Sequence, residues 1–368
     1  MLDNQMKHLT GGSMKNITRV GVDLAKNVLQ VCGVDALGKV VFNKSLSREK
    51  FLPWCSAELE PGCVVAMEAC SGSHFWAREL IKRGFNAKII AASHVSPYRM
   101  EGKGGKNDAN DAAAICEAVN RPSMRFVPVK SSNQQGILCV HRLREGLKEE
   151  RTSCINRIRG LMAEFGIVVS RSPDKLRENL QDLIEDAENG LDWLARLAIQ
   201  EQYSHWDAID QRIAWSDQRI NAHIAEDAQA KVAKQIIGVG PLTASALVAT
   251  VVDFKQFKNG AQFGAWLGLT PRQSSSGGKA KLGKITKKGD TYLRTMLIQG
   301  AKAAVMTAHK RDDPISKWLL NLKEKSGWQI AAVAMANKNA RIVWALMTKG
   351  TSFDPRHISV QQFRVSEA

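Results

Sequence analysis

The sequence predicts an α/β domain at the N-terminal end, a helical coiled-coil arm, and a mainly α C-terminal part with a helix-hairpin-helix-like motif. Three observations lead there. Short β-branched runs alternate with helical segments up to about residue 130, a long polar helical stretch follows, and a Gly-x-Gly turn separates two helical runs within 236–251.

Residues 1–13 carry no pattern and read as a tag or leader. From Ile17 onward, "TRVGVDLA", "VLQVCGVD" and "KVVFNKS" predict three consecutive strands, with "DALG" (35–38) as the turn between the second and third. A helix from about Arg48, a strand at 63–69, a helix at 73–84 and a strand at 87–92 come next. Such alternation predicts a sheet covered on both faces. "RFVPV" (125–129) closes this domain, 14–130; residues 131–230 then form the helical segment, 231–350 the C-terminal domain and 351–368 a tail.

The arm begins basic, with Arg142, Arg144, Lys148, Arg151, Arg157 and Arg159. It turns acidic over 171–230, which hold 13 acidic and 6 basic residues. There Trp206, Ile209, Ile213, Ile220 and Ile224 step by three, four, seven and four. This heptad-like stripe predicts pairing with another helix, either within the chain or on another copy.

Composition excludes several classes. With 368 residues, 44% of them hydrophobic, the chain has room for two globular domains and is not a disordered protein. No apolar run reaches the roughly 18 to 20 residues of a membrane span, and the first residues contain no signal-peptide segment. A cytoplasmic, nucleoid-associated protein is expected. The seven cysteines form no C-x-x-C pair and read as reduced thiols. An excess of 52 Lys and Arg over 36 Asp and Glu favours a polyanionic partner, because each neutralised phosphate releases condensed counterions.

Against that positive background, four acids stand out. Asp23 in "VGVDLAK" and Glu68 in "VVAMEACSG" sit at the ends of predicted strands with apolar flanks, where a carboxylate is costly to bury unless it meets something positive. Asp108 and Asp111 in "KGGKNDANDAAAICEAV" are three apart on a predicted helix and share one face. Hard oxygen donors of this kind suit Mg²⁺ or Mn²⁺, and a cluster of them suits phosphoryl transfer. Taken singly, Asp23 also reads as a turn or edge residue, and Asp108 as a first-turn acid favoured by the helix dipole. Lys103 and Lys106, just before the aspartates, read as a nucleic-acid contact or a simple connection.

The C-terminal half supplies the basic counterpart. Gly238 and Gly240 in "IIGVGPLTASALVATV" form the turn of the helix-hairpin-helix-like motif, whose exposed backbone N–H groups can hold a phosphate. Residues 270–311 then hold ten Lys or Arg against one acid, Asp290. Arg272, Lys279, Lys281, Lys284, Lys287, Lys288 and Arg294 are the candidate phosphate contacts there, as are Arg142, Arg144 and Arg151 on the arm. "SSSGGK" reads as an exposed flexible turn offering a serine nucleophile, or as a Gly-Ser linker lined by lysines. Tyr292 raises a rival, a tyrosine recombinase, for which Arg294 and His309 are the nearby partners in sequence.

Together, "RVGVDLAKNVLQV", "VVAMEACSGSHFWAREL", "GKNDANDAAAICEAV", "RPSMRFVPVKS", "IIGVGPLTASAL" and "AWLGLTPRQSSSGGKAKLGKITKKGDTYLRTML" resemble the DEDD transposases of the bacterial insertion sequence family one-hundred-ten, the bridge-RNA-guided recombinases, in particular subgroup eleven-eleven. The resemblance runs from Met14 to about Gly350. It implies a RuvC-like domain of RNase H fold, a coiled-coil segment and a C-terminal transposase domain. The DEDD acids that bind the divalent metal carry over as Asp23, Glu68, Asp108 and Asp111. The serine nucleophile falls in "SSSGGK", with Ser276 favoured, then Ser275, and Ser274 last. The resemblance further implies excision and site-specific insertion of an insertion sequence, donor and target DNA, a structured noncoding bridge RNA, and homo-oligomers (dimer or tetramer) in which the metal site of one subunit meets the serine of another. The alternative is a RuvC-like Holliday-junction-type nuclease using metal-activated water.

Overall fold

Alternation with period two builds the N-terminal sheet. In the computed structural model, which describes residues 17–99, 107–276 and 279–356, β1 (Arg19–Leu24), β2 (Val28–Val34) and β3 (Val40–Ser47) form an antiparallel meander. The turn into β3 is held by Asp35, whose Oδ1 accepts from the backbone N–H groups of Leu37 and Lys39, with Gly38 at φ 83°. After α1 (Arg48–Glu58), β4 (Val64–Glu68) runs parallel to β1; after α2 (Ser73–Lys82), β5 (Asn86–Ile90) runs parallel to β4. A short α3 (Ala92–Val95), then α4 (Asp108–Val119) and the two-residue β6 (Phe126–Val127), antiparallel to β5, complete the order β3-β2-β1-β4-β5-β6.

Both faces of this sheet are covered, as the alternation predicts. Val20, Val22, Val65, Met67 and Ile89 pack with Phe51 of α1 and Trp76 and Leu80 of α2. The opposite parity meets α4: Ala66 and Ile90 pack with Ala114, Ile115 and Ala118, and Cys32 and Val34 with Ala112 and Cys116.

The chain clusters into two compact units, 1–131 and 132–368. Among its described residues the second is helical apart from one hairpin. It runs through α5 (Ser132–Glu164), α6 (Pro173–Glu185), α7 (Trp193–Glu226), α8 (Ala228–Lys234), α9 (Pro241–Thr250) and α10 (Gly260–Trp266) to strands β7 (Pro271–Ser276) and β8 (Lys279–Ile285), then α11 (Thr291–Thr307), α12 (Pro314–Ser326) and α13 (Trp328–Lys349). Its main core draws Leu247, Phe263, Leu293, Leu297, Met335 and Val343 from α9, α10, α11 and α13.

The heptad-like stripe is used within the chain. Trp206 and Ile209 are buried against Leu147, Ile155, Ile158 and Met162 of α5, and Ile220 and Ile224 against Ile137. The pairing is antiparallel: Arg144 meets Asp217, Arg151 meets Asp210 and Arg157 meets Gln202, so partners fall in number as α5 advances. The acidic run of α7 thus answers the basic run of α5.

Candidate active site

Parity places the first two acids. Asp23 follows Gly21 on β1 and Glu68 follows Ala66 on β4, so both belong to the face that α4 covers, at the C-terminal ends of adjacent parallel strands. Open α/β sheets bind ligands at that edge. The other two acids arrive with α4, whose cap is Asn107, accepting from the Asn110 backbone N–H at 2.8 Å. Asp108 and Asp111 stand in its first turn, where the helix dipole favours negative charge.

Close approach of α4 depends on Gly21. A Cβ there would lie 2.3 Å from the Ala112 carbonyl oxygen and 2.7 Å from the Cys116 amide nitrogen. Only a hydrogen side chain lets the helix sit this low on β1.

Asp23 feels the other three carboxylates. Burial first, then repulsion from Asp111, Asp108 and Glu68, pushes the Asp23 carboxyl up from the ordinary carboxylate range, with Arg99 opposing. Burial and the same negative field, from Glu68 and Asp23, push the Cys70 thiol up, so it stays protonated beside the acids. A cation already stands among them. Arg99 places Nη2 2.6 Å from Glu68 Oε2 and Nε 2.8 Å from Asp111 Oδ1.

Among the described residues, no three His, Cys, Asp or Glu side chains are grouped to hold one ion. The donor set itself fits a divalent cation: four carboxylates on three elements, mutual repulsion to be neutralised, and a guanidinium standing in for positive charge.

In the second unit Ser274–Ser276 end β7 and Lys279 begins β8, while residues 277 and 278 of "SSSGGK" lie outside the described residues. β7 and β8 pair antiparallel, with Ser274 opposite Lys281, Ser275 opposite Ala280 and Ser276 opposite Lys279. Polar residues without alternation form strands here because each satisfies its backbone groups on the other. The base of the hairpin is locked at Gly268 and Gly289, where a Cβ would come within 2.1 Å of the Lys288 oxygen and 1.9 Å of the Trp266 oxygen respectively. Arg272, Lys281, Lys284, Lys287 and Lys288 are exposed.

Several sequence candidates are otherwise engaged. Arg294 is 7% exposed and donates to the Leu267 and Lys288 carbonyls and to Thr291 Oγ1, so it clasps the hairpin base instead of facing a phosphate. Arg144 and Arg151 are held by Asp217 and Asp210, whereas Arg142 is exposed. Tyr292 has its hydroxyl 3.0 Å from Nδ1 of buried His141, whose Nε2 is 2.9 Å from Ser245 Oγ. Burial pushes the tyrosine phenol up and His141 down to about 4. A half-buried phenol in this network is not an exposed nucleophile, which removes the tyrosine recombinase rival. Gly238 adopts φ 81° in the α8–α9 turn, where buried Asn339 donates to the Ile237 carbonyl, and Gly240 caps α9. Lys103 and Lys106 lie outside the described residues, as do the side chains of Ser275, Ser276 and Lys279.

The comparisons with known proteins cover both units. A DEDD transposase model of the IS110 type matches residues 20–167, and a model described as "Transposase IS116/IS110/IS902 family" matches 230–315. The "Probable family 20 transposase" of Pseudomonas aeruginosa is 44% identical over 341 residues, covering 92% of this chain and 99% of that protein. The chain belongs to the IS110 transposase family. The "Transposase for insertion sequence element IS1111A" of Coxiella burnetii, 39% identical over 93% of this chain and 92% of its own length, places the transposase in the IS1111 subgroup. The "Transposase for insertion sequence element IS1328" of Yersinia enterocolitica is 35% identical over 92% and 99%. The transposase is therefore an enzyme of DNA transposition. No helix among its described residues is long and apolar enough to cross a membrane.

The matched segment 20–167 contains Asp23, Glu68, Arg99, Asp108 and Asp111. Arg99 is the residue that sequence reasoning missed. Nothing in "SPYRM" marks it, since its place follows from the turn after β5.

Proposed function

We propose that the transposase excises and inserts its element by metal-assisted DNA strand cleavage and transfer, with Asp23, Glu68, Asp108 and Asp111 holding Mg²⁺ or Mn²⁺ and a serine as nucleophile. The carrying observation is that carboxylates from β1, β4 and α4 come together at one sheet edge, with Arg99 paired to two of them. The order β3-β2-β1-β4-β5, with the first three strands antiparallel and the next two parallel, supports reading the first unit as a RuvC-like domain of RNase H fold.

When bound, the divalent ion supplies charge neutralisation at the phosphate and favours the ionised nucleophile. The carboxylates hold that charge in place, and the hairpin's exposed lysines draw the strand toward the serines. In the proposed step a serine Oγ forms a bond to phosphorus as the backbone P–O bond breaks, and the proton lost from the serine is passed on to the departing deoxyribose oxygen, which leaves as a hydroxyl. The phosphoserine ester conserves the bond energy, and attack by another strand's hydroxyl reverses it without a ligase. The motif resemblance, with Ser276 first and Ser275 next, sets the order in which the serines are tested.

Ser275→Ala together with Ser276→Ala distinguishes this from a junction-resolving nuclease. The double variant is expected to form no covalent protein–DNA adduct on denaturing gels and to lose excision. Continued cutting at the wild-type rate would transfer the reaction to water and sink the serine.

Guidance by a structured noncoding RNA and assembly as a homo-oligomer belong to the same proposal. Its supports are the net charge of +16, the 6% aromatic content, which fits backbone recognition over base stacking, and the family membership. Protein expressed with its element's flanking sequence is expected to co-purify with one discrete RNA. A heterogeneous RNA smear, removed by moderate salt without loss of target choice, would refute guidance.

A further inference from the structure

The guanidinium of Arg99 bridges carboxylates from two elements, Glu68 at the end of β4 and Asp111 in the first turn of α4. The two contacts differ. Nη2 donates a hydrogen bond to Glu68 Oε2 at 2.6 Å, whereas buried Nε, 2.8 Å from Asp111 Oδ1, is not aligned as a hydrogen bond. The hold on Asp111 is therefore chiefly charge attraction. The side chain is 37% exposed, and its backbone leaves the Ser96–Tyr98 turn in an extended conformation, so the guanidinium has a route to solvent.

We infer that Arg99 is the resident counter-cation of the carboxylate site and that a divalent ion loads by displacing it. This rests on the reading that Asp23, Glu68, Asp108 and Asp111 form a metal site. Three physical points carry it. A divalent ion needs the oxygens Glu68 Oε2 and Asp111 Oδ1, which now lie 2.6 and 2.8 Å from the guanidinium. Two cations on the same oxygens repel strongly where water is partly excluded, so occupancy is exclusive. The guanidinium holds Glu68 and Asp111 from two elements at once, and Arg99 is the charge that opposes the repulsion of Asp23 by Asp111, Asp108 and Glu68, so it stands where a divalent ion would have to sit.

Such a device has a use. Unneutralised carboxylates repel one another and would loosen α4 from the sheet edge; a side chain that neutralises them keeps the site assembled before loading. Once displaced, the guanidinium is a five-donor fork beside the reacting phosphate, a group it is shaped to bind. Loading and strand binding then favour each other. Arg99 is a positioning residue in this scheme, and only its metal-linked displacement is claimed.

The test uses the full chain and Mn²⁺ alone, without DNA. Phenylglyoxal modification of Arg99 in the wild type, read by peptide mass spectrometry, is expected to rise several-fold on adding saturating Mn²⁺. Calorimetric titration is expected to give Arg99→Gln about tenfold tighter Mn²⁺ binding, because a competing charge is gone, with Arg99→Lys in between. Circular dichroism checks that the variants fold, and the labelling of wild type stands whether or not they do. If Mn²⁺ binds in an Asp23-dependent way but labelling does not rise and Arg99→Gln binds no tighter, the displacement is wrong while the metal site survives. If no Asp23-dependent Mn²⁺ binding occurs in wild type or Arg99→Gln, the metal reading fails and the displacement with it.

Discussion

Asp23→Asn is expected to lower strand transfer by about three orders of magnitude or more, the scale of losing a group that holds charge at a reacting phosphate. DNA binding, measured by gel shift, should stay near wild type, because the exposed lysines that draw the strand are elsewhere in the chain. The same substitution should raise the melting temperature at neutral pH. The sign follows from the raised Asp23 carboxyl: the unfolded chain ionises more readily than the native one, so stability is fullest below the ordinary carboxylate pKa and is lost as pH rises through the elevated folded value. Asparagine removes that loss. The gap between variant and wild type should therefore be widest near neutrality and close on acidification, and Mn²⁺ should stabilise wild type more than the variant. Wild-type levels of excision by the variant would remove Asp23 from the machinery.

Gly21→Ala is the second large effect. β1 cannot retreat, since Gly21 is paired with Cys32 on one side and Ala66 on the other. The added methyl, 2.3 Å from one backbone atom of α4 and 2.7 Å from another, must push the helix away. Overpacking against backbone costs about 3 kcal/mol or more. Chemical denaturation should show that loss. Even where the variant folds, α4 carries Asp108 and Asp111 with it, and a displacement of about 1 Å costs on the order of 100-fold in rate. A variant with wild-type stability and activity would mean that α4 does not ride on β1 as described.

How far the molecule was readable from its residues depended on the range of the signal. Short β-branched runs in "RVGVDL" and "VVAME" marked the strands and put Asp23 and Glu68 at their ends, while their common face comes from the β1–β4 register; spacing along one helix joined Asp108 to Asp111. These signals are local. The cancellation of Arg144 and Arg151 by Asp217 and Asp210 is not: the charge reversal is visible along the chain, but its partners are 73 and 59 residues apart. The stripe at Trp206 has the same spacing whether its partner is α5 or another copy, so only the fold decides. The serines looked like a flexible turn because β7 and β8 lack alternation and exist through each other. Arg99 was silent for a related reason: a lone arginine in a turn has no periodicity, and its meaning comes from two acids that reach it from separate elements.

The ion pairs between α5 and α7 have a consequence for how a polyanion meets the second unit. Acids of the arm offset its arginines, while around the β7–β8 hairpin the one acid within 270–311, Asp290, accepts from the Leu293 backbone N–H to cap α11. The hairpin thus keeps exposed lysines without an acid beside them in sequence, whereas two arginines of the arm are paired. In the field of those lysines a nearby duplex exerts a torque as well as a pull, turning the hairpin forward before any contact forms, within a range that salt shortens to about 10 Å at 0.1 M.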